Sequence, residues 1–126
     1  MRKNKIKNYK KLLVEPEGQI KHKFIVPGSV YVASLWDWDS WLTDIALRRI
    51  ATGDEIADYE KGCVLNFLGH IDEQGRMPIY IRPNLIPLPR PDEEKNIHKP
   101  CLAQHALFIV EQTGESEWLK DKFADI

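Results

Sequence analysis

The stretch Leu35-Trp36-Asp37-Trp38-Asp39-Ser40-Trp41 concentrates aromatic rings and acids in one short part of the chain. Three of the four tryptophans and two carboxylates fall within these seven residues. A flat indole ring can pack on the apolar face of a pyranose, while carboxylates accept hydrogen bonds from sugar hydroxyls. The same residues also suit the buried start of a helix, with the acids as N-caps. The flanking residues decide between a sugar site and a purely structural helix start.

A first helix is predicted directly after this stretch. Apolar residues recur at helical spacing over 41–50, which leaves Asp44 and Arg48 off the apolar face. Asp39 or Ser40 is well placed to cap the first turn of this helix. The pattern therefore predicts an amphipathic helix with its charged residues in solvent.

Three further helices are predicted, with glycines marking the helix ends. The second covers 56–68 and ends at Gly69, while the third opens at Pro100 and ends at Gly114. A fourth begins near Trp118. Short connections within each pair indicate αα-hairpins, so the predicted fold class is all-α.

Two segments do not fit this helical plan. Residues 1–23 carry eight Lys or Arg against two Glu, whereas the whole chain has a net charge of −1. Residues 70–98 contain five prolines and are predicted to form a long loop that docks through its apolar residues. The predicted organisation is a basic, irregular N-terminal segment at 1–23 and an incomplete helical domain at 24–126.

Composition excludes several classes of protein. The near-neutral net charge predicts no general attraction to nucleic acid or membranes, and no apolar run approaches the ~18 residues of a membrane helix. Cys63 and Cys101 are too few for a disulfide framework and are predicted to be buried thiols in a reducing compartment. We therefore expect a cytoplasmic protein with no cofactor, no nucleic-acid partner and no membrane partner.

A zinc site is the metal alternative. His98, Cys101 and His105 follow each other at spacings that share one helical face. However, Pro100 places His98 before the helix proper, and no fourth ligand stands nearby in sequence. We expect no metal, and instead a core thiol flanked by two partly exposed histidines.

Two sets of residues together resemble the trehalase-like glycosidases. Residues 24–28, Phe-Ile-Val-Pro-Gly, precede residues 36–41, Trp-Asp-Trp-Asp-Ser-Trp, as at the start of the catalytic domain of that family. The doubled Trp-Asp is similar to the branch of glucosidase I and mannosylglycerate hydrolases. Residues 75–78, Gly-Arg-Met-Pro, and then Lys99-Pro100 and Gln104 resemble the second loop of the family and its next inner helix.

The resemblance implies a fold, a reaction and a set of binding residues. The fold would be the first part of an (α/α)6 toroid, and the reaction would be inverting hydrolysis of an α-linked glucoside or related saccharide. It implies no catalytic residue in this chain, because the acid and base of the family would fall beyond Ile126. The residues implied to bind the saccharide substrate are Trp36, Trp38, Asp39, Gln104 and Tyr31.

The trehalase motif Pro-Gly-Gly-Arg-Phe is replaced by Pro-Gly-Ser-Val-Tyr at 27–31, which argues against trehalose as the substrate. Asp37 and Asp39 would reach a sugar from the same side, whereas inversion requires opposite faces. We therefore expect the chain alone to be inactive, and to associate with itself or with the remainder of the barrel. The alternatives are a non-catalytic carbohydrate-binding or interaction module, and a nucleic-acid binder that uses the basic arm.

Overall fold

The computed structural model describes residues 8–28, 34–51, 53–84 and 100–122. Within them are the α-helices α1 (Asp37–Leu47), α2 (Ala57–Leu68) and α3 (Leu102–Thr113). The strands are β1 (Leu13–Val14), β2 (Phe24–Ile25), β3 (Leu35–Trp36) and β4 (Tyr80–Ile81). Short 3-10 helices cover Asn8–Leu12, Gly53–Glu55 and Glu117–Lys122.

The four strands form two antiparallel pairs, so the all-α prediction is wrong. Strand β1 pairs with β2, and β3 pairs with β4, in two separate two-stranded sheets. The fold is therefore a mixture of helices and small antiparallel sheets, not the first part of an all-α toroid. The physical reason is that buried backbone N–H and C=O groups need partners, and these short apolar runs satisfy each other.

The segment 22–25 docks closely on one face of α2. A Cβ added to Gly62 would lie 1.7 Å from a backbone carbonyl oxygen of this segment. The thiol of Cys63 accepts a backbone N–H of β2 at 3.2 Å, and the side-chain amide of Asn66 makes two 2.9 Å bonds with the segment. Because β1 also pairs with β2, contacts run across the predicted division at residue 23, and that division stays a prediction.

The hydrophobic core lies between β2, α2 and α3 and is closed by shorter elements. Buried residues from outside these three elements include Tyr9, Ile20, Leu35, Ile81 and Leu119. Both cysteines are free and buried, which confirms the prediction made for the thiols. The strands and the N-terminal segment therefore complete a core that the helices alone would leave open.

Helix α1 faces the core with the side that was predicted to be solvated. It begins at Asp37, earlier than predicted, with Trp36 at the N-cap position and no side-chain cap. Leu42 is 54% exposed, although the apolar pattern placed it inside. The buried residues of α1 are Asp37, Ser40, Asp44 and Leu47. The prediction of the buried face is wrong because the polar members of this set, Asp37, Ser40 and Asp44, form hydrogen bonds inside the molecule.

The other two helices end at the glycines that were predicted to end them. Gly69 is the C-cap of α2, and Gly114, with a φ of 71°, ends α3 in the left-handed conformation that glycine adopts easily. The predicted fourth helix is a 3-10 helix as far as the structure describes it. In the described ranges, none of the helices has the length and apolar character needed to cross a membrane.

Candidate functional site

The pairing of β3 with β4 places two aromatic rings side by side. Trp36 lies directly opposite Tyr80 in the register, and their ring centroids are 4.8 Å apart with an angle of 33° between the planes. The guanidinium carbon of Arg82 lies 5.2 Å from the centre of the Tyr80 ring, which is within cation–π range. This stack of three side chains braces the entry to α1.

The first turn of α1 presents Trp38 and Asp39. The indole of Trp38 is 53% exposed, and Asp39 is half-buried. Burial and, to a smaller extent, the neighbouring Asp37 raise the pKa of the Asp39 carboxyl above its usual range. We call Trp36, Trp38, Asp39 and Tyr80 the aromatic wall, because they are neighbours in sequence or across the β3–β4 pair; they supply flat apolar rings and a partly desolvated carboxyl group.

Asp37 has a structural role, as its sequence position suggested. Its side chain is 2% exposed, and its Oδ1 accepts the backbone N–H of Trp38 at 2.7 Å. Its backbone N–H donates to the carbonyl of Ile79 at 3.1 Å, and its carbonyl accepts the hydroxyl of Ser40 at 2.9 Å. Asp37 thus fixes the start of α1 and does not face a substrate.

The other two predicted binding residues are not joined to the wall by these contacts. Gln104 is exposed on α3, next to His105, whose ring reaches Asp44 in the middle of α1. Asp44 lies six residues beyond Trp38, which corresponds to about 9 Å along a helix. Tyr31 lies outside the described residues. The participation of Gln104 and Tyr31 therefore stays a prediction.

A buried group of titratable side chains, which we call the polar cluster, joins all three helices. It consists of Asp44, Arg48, Glu60 and His105. The Nε of Arg48 donates to Oε2 of Glu60 at 2.9 Å, and its Nη2 donates to the other carboxylate oxygen. The Nε2 of His105 lies 3.0 Å from Oδ2 of Asp44. Asp44 and Glu60 are both 0% exposed and His105 is 2% exposed, so these groups are sealed from solvent.

Burial raises the pKa of Asp44 to about 6 and that of Glu60 to about 8, so near pH 7 the two carboxyl groups of the polar cluster together hold about one proton. Asp44 and Glu60 are in side-chain hydrogen-bond contact. Among the described residues, no N–H or O–H group donates to Oδ1 of Asp44. A proton on one carboxyl group fills this gap and leaves a single negative charge beside the Arg48 guanidinium. The polar cluster is then electrically balanced, which is what its burial requires.

His105 corrects the expectation of a partly exposed histidine. Burial lowers its pKa from the usual 6.5 to about 3, so its imidazole is neutral at physiological pH. Burial also raises the pKa of the nearby Cys101 thiol to about 11. His98 lies outside the described residues, and within those ranges no three His, Cys, Asp or Glu side chains are grouped to hold a metal.

We expect the imidazole of His105 to stay neutral in the folded protein down to about pH 4.5. In the unfolded chain it would protonate near 6.5, whereas its native pKa is about 3. Its stabilising contribution is therefore complete above 6.5 and is lost as the pH falls toward 3. At about pH 5 the loss amounts to about 2 kcal/mol, from 1.36 kcal/mol per pKa unit. Imidazole ¹⁵N chemical shifts measure this directly, and a midpoint near the usual value would contradict the sealed geometry.

The sequence pattern does not predict the polar cluster, although it contains one hint, the spacing of two of its members. Asp44 and Arg48 are four residues apart, the spacing of an ordinary solvent-exposed ion pair on a helix. Their partners, Glu60 and His105, come from two other helices and are distant in sequence. Only the three-dimensional arrangement distinguishes this buried group from a charged outer face.

Comparison with known proteins supplies no relative for this arrangement. No protein-family model matches the chain, no curated protein matches it, and no solved structure matches it.

Proposed function

We propose that this chain binds a saccharide through the aromatic wall, as the sugar-binding part of a glycoside hydrolase acting on an α-linked glucoside or related saccharide. The observation that carries the proposal is the 53% exposure of Trp38 in the first turn of α1, with the half-buried Asp39 as the next residue in the chain. Both residues belong to the stretch 36–41, one of those that carry the family resemblance.

The chemistry of the aromatic wall suits a sugar ring better than a purely apolar partner. An exposed indole offers a flat surface to the C–H groups of a pyranose, and the adjacent carboxyl can accept hydroxyl protons. The Trp36–Tyr80 stack, at 4.8 Å between centroids, holds the backbone that delivers Trp38. A rigid support of this kind reduces the entropy lost on binding.

The described carboxyl groups support binding more than catalysis. Asp37 is buried and its Oδ1 accepts the backbone N–H of Trp38, so it cannot act with Asp39 as an inverting pair. Asp44 and Glu60 have raised pKa values, as a general acid does, but they are sealed from any substrate. This observation also favours the second candidate function, a non-catalytic carbohydrate-binding module. The cytoplasm remains the proposed compartment, since buried free thiols are typical of a reducing environment.

The replacement of Trp38 by alanine tests the wall. We expect Trp38→Ala to weaken binding of maltose by about ten-fold, equivalent to 1.4 kcal/mol, as measured by heteronuclear NMR titration of the whole chain. The matched control is Leu42→Ala, because Leu42 lies on the same helix and is 54% exposed. It should change the affinity by less than about two-fold.

Two results would count against the proposal. Equal effects of Trp38→Ala and Leu42→Ala would indicate non-specific contact of the sugar with an apolar helix face. The absence of saturable binding for maltose and for other α-linked disaccharides would remove the saccharide altogether. Release of glucose by the purified chain, if abolished in Asp39→Ala, would instead show that the acid and base reside within these residues.

A further inference from the structure

A cleft that none of the aromatic-wall residues lines lies between the segment after β1 and the carboxyl end of α2. This cleft has a volume of about 180 Å³. Its lining residues are Gln19, Lys21, His22, Leu65, Asn66, Gly69 and His70. Two imidazoles, an amide and an ammonium group therefore converge on a space large enough for a small molecule.

The walls of the cleft are held rigidly by Asn66. Its side chain is 2% exposed, and it accepts the backbone N–H of His22 at 2.9 Å while donating to the carbonyl of the same residue at 2.9 Å. These two hydrogen bonds hold the backbone of His22 against α2. On the same segment as His22, the Nζ of Lys21 donates to the carbonyl of Gly18 at 2.7 Å.

The hydrogen bonds also determine which nitrogen of His70 is available. Its Nδ1 lies 2.7 Å from the backbone carbonyl oxygen of Asn66, and a carbonyl can only accept. Nδ1 must therefore carry a hydrogen, and Nε2 is the atom left for a ligand. When the ring takes up a second proton, Nε2–H becomes a charged donor.

The side-chain charges around the cleft have one sign, and the last carbonyl groups of α2, which would oppose an anion, already accept N–H groups of Gly69 and His70. None of the described lining residues is an Asp or Glu, whereas Lys21 and the two histidines are basic. Burial and the positive charge of Lys122, from the C-terminal 3-10 helix, lower the pKa of His22. A bound cation would be repelled by both ammonium groups, while an anion would be attracted and would relieve the repulsion between Lys122 and a protonated His22.

We propose that this cleft binds a small-molecule oxyanion, a phosphate or carboxylate group, held by the imidazoles of His22 and His70 in the field of Lys21 and Lys122. The site is independent of the aromatic wall and would operate whether or not the chain binds a saccharide. The donors come from two elements that Asn66 fastens together, so the site is formed before the ligand arrives.

Titration of the whole ¹⁵N-labelled chain with inorganic phosphate tests the proposal. Below about pH 6, a condition chosen because the pKa of His22 is lowered from 6.5, we expect saturable shifts at His22, His70 and Gln19 with a Kd of about 1 mM. Ionic strength is kept constant so that screening does not change during the titration. Acetate in place of phosphate distinguishes the two sources: tighter phosphate binding assigns a phosphate ligand, and tighter acetate binding assigns a carboxylate.

Two lysines of the same 3-10 helix supply a matched pair of variants. Lys122→Gln and Lys120→Gln change the net charge equally, but of the two only the charge of Lys122 lowers the pKa of His22. We expect about a five-fold loss of phosphate affinity for Lys122→Gln and for His70→Ala, and less than about two-fold for Lys120→Gln. Equal losses for the two lysine variants, or no saturation with either anion, would overturn the proposal.

Discussion

Gly62→Ala is expected to destabilise the protein by about 3 kcal/mol or more, despite replacing a glycine inside a helix. Alanine would ordinarily gain up to about 1 kcal/mol at such a position. Here the added Cβ would lie 1.7 Å from the carbonyl oxygen of Lys23 and 2.8 Å from its carbonyl carbon. The contact is with backbone, so no side-chain rotation can relieve it, and the segment before β2 must move off α2.

Gly69→Ala is the matched control for this prediction. Gly69 caps the same helix with a φ of −72°, and its added Cβ would have ordinary contacts at 3.4 Å and 3.5 Å. We expect a change within about 0.5 kcal/mol. Urea unfolding followed by circular dichroism measures both variants. If Gly62→Ala proved as stable as Gly69→Ala, the close approach of the N-terminal segment to α2 would be incorrect.

Arg48→Met is expected to cost about 3–5 kcal/mol, because it removes the only positive charge of the polar cluster and leaves carboxyl groups buried without a cation. Methionine retains much of the side-chain length, so the loss is mainly electrostatic. The guanidinium now donates to both carboxylate oxygens of Glu60. Unfolding in urea at about pH 7 would show the loss as a lower midpoint with an unchanged slope.

The neighbouring Arg49 provides the control, since it is exposed in the turn after α1 and Arg49→Met should change stability by less than about 0.5 kcal/mol. The pH dependence separates charge from packing. Without Arg48, both buried carboxyl groups have raised pKa values, and the folded state takes up a further proton. The stability that these protons supply is present at low pH and is lost as the pH rises. The deficit of Arg48→Met should therefore shrink between about pH 7 and pH 5, whereas a deficit independent of pH would indicate lost packing alone.

The sequence predicted the elements whose signals are local. Glycines at 69 and 114 end two helices, and the apolar spacing over 56–68 identifies the buried face of α2. In each case the residues that determine the structure are neighbours in the chain, so their pattern can be read without knowing the fold.

The features that the sequence did not reveal all depend on distant partners. Strand β4 lies within a segment that reads as a loop, and it forms only because β3 supplies its hydrogen bonds. Helix α1 turns Asp44 inward because Glu60 and His105, from α2 and α3, satisfy it. For the aromatic wall, sequence proximity placed Trp38 beside Asp39, but it gave no indication that Tyr80 would stack on Trp36.

The fastening of residues 22–25 to α2 has a consequence for the order of assembly during synthesis. The amide of Asn66 and the backbone of His22 are 44 residues apart, and the bond from Ile25 to Cys63 spans 38. Closing a loop of that length costs about 3 kcal/mol of chain entropy, which is recovered only when several contacts form together. Strand β2 and the segment before it are therefore synthesised before α2 but reach their final positions only after α2 has been synthesised.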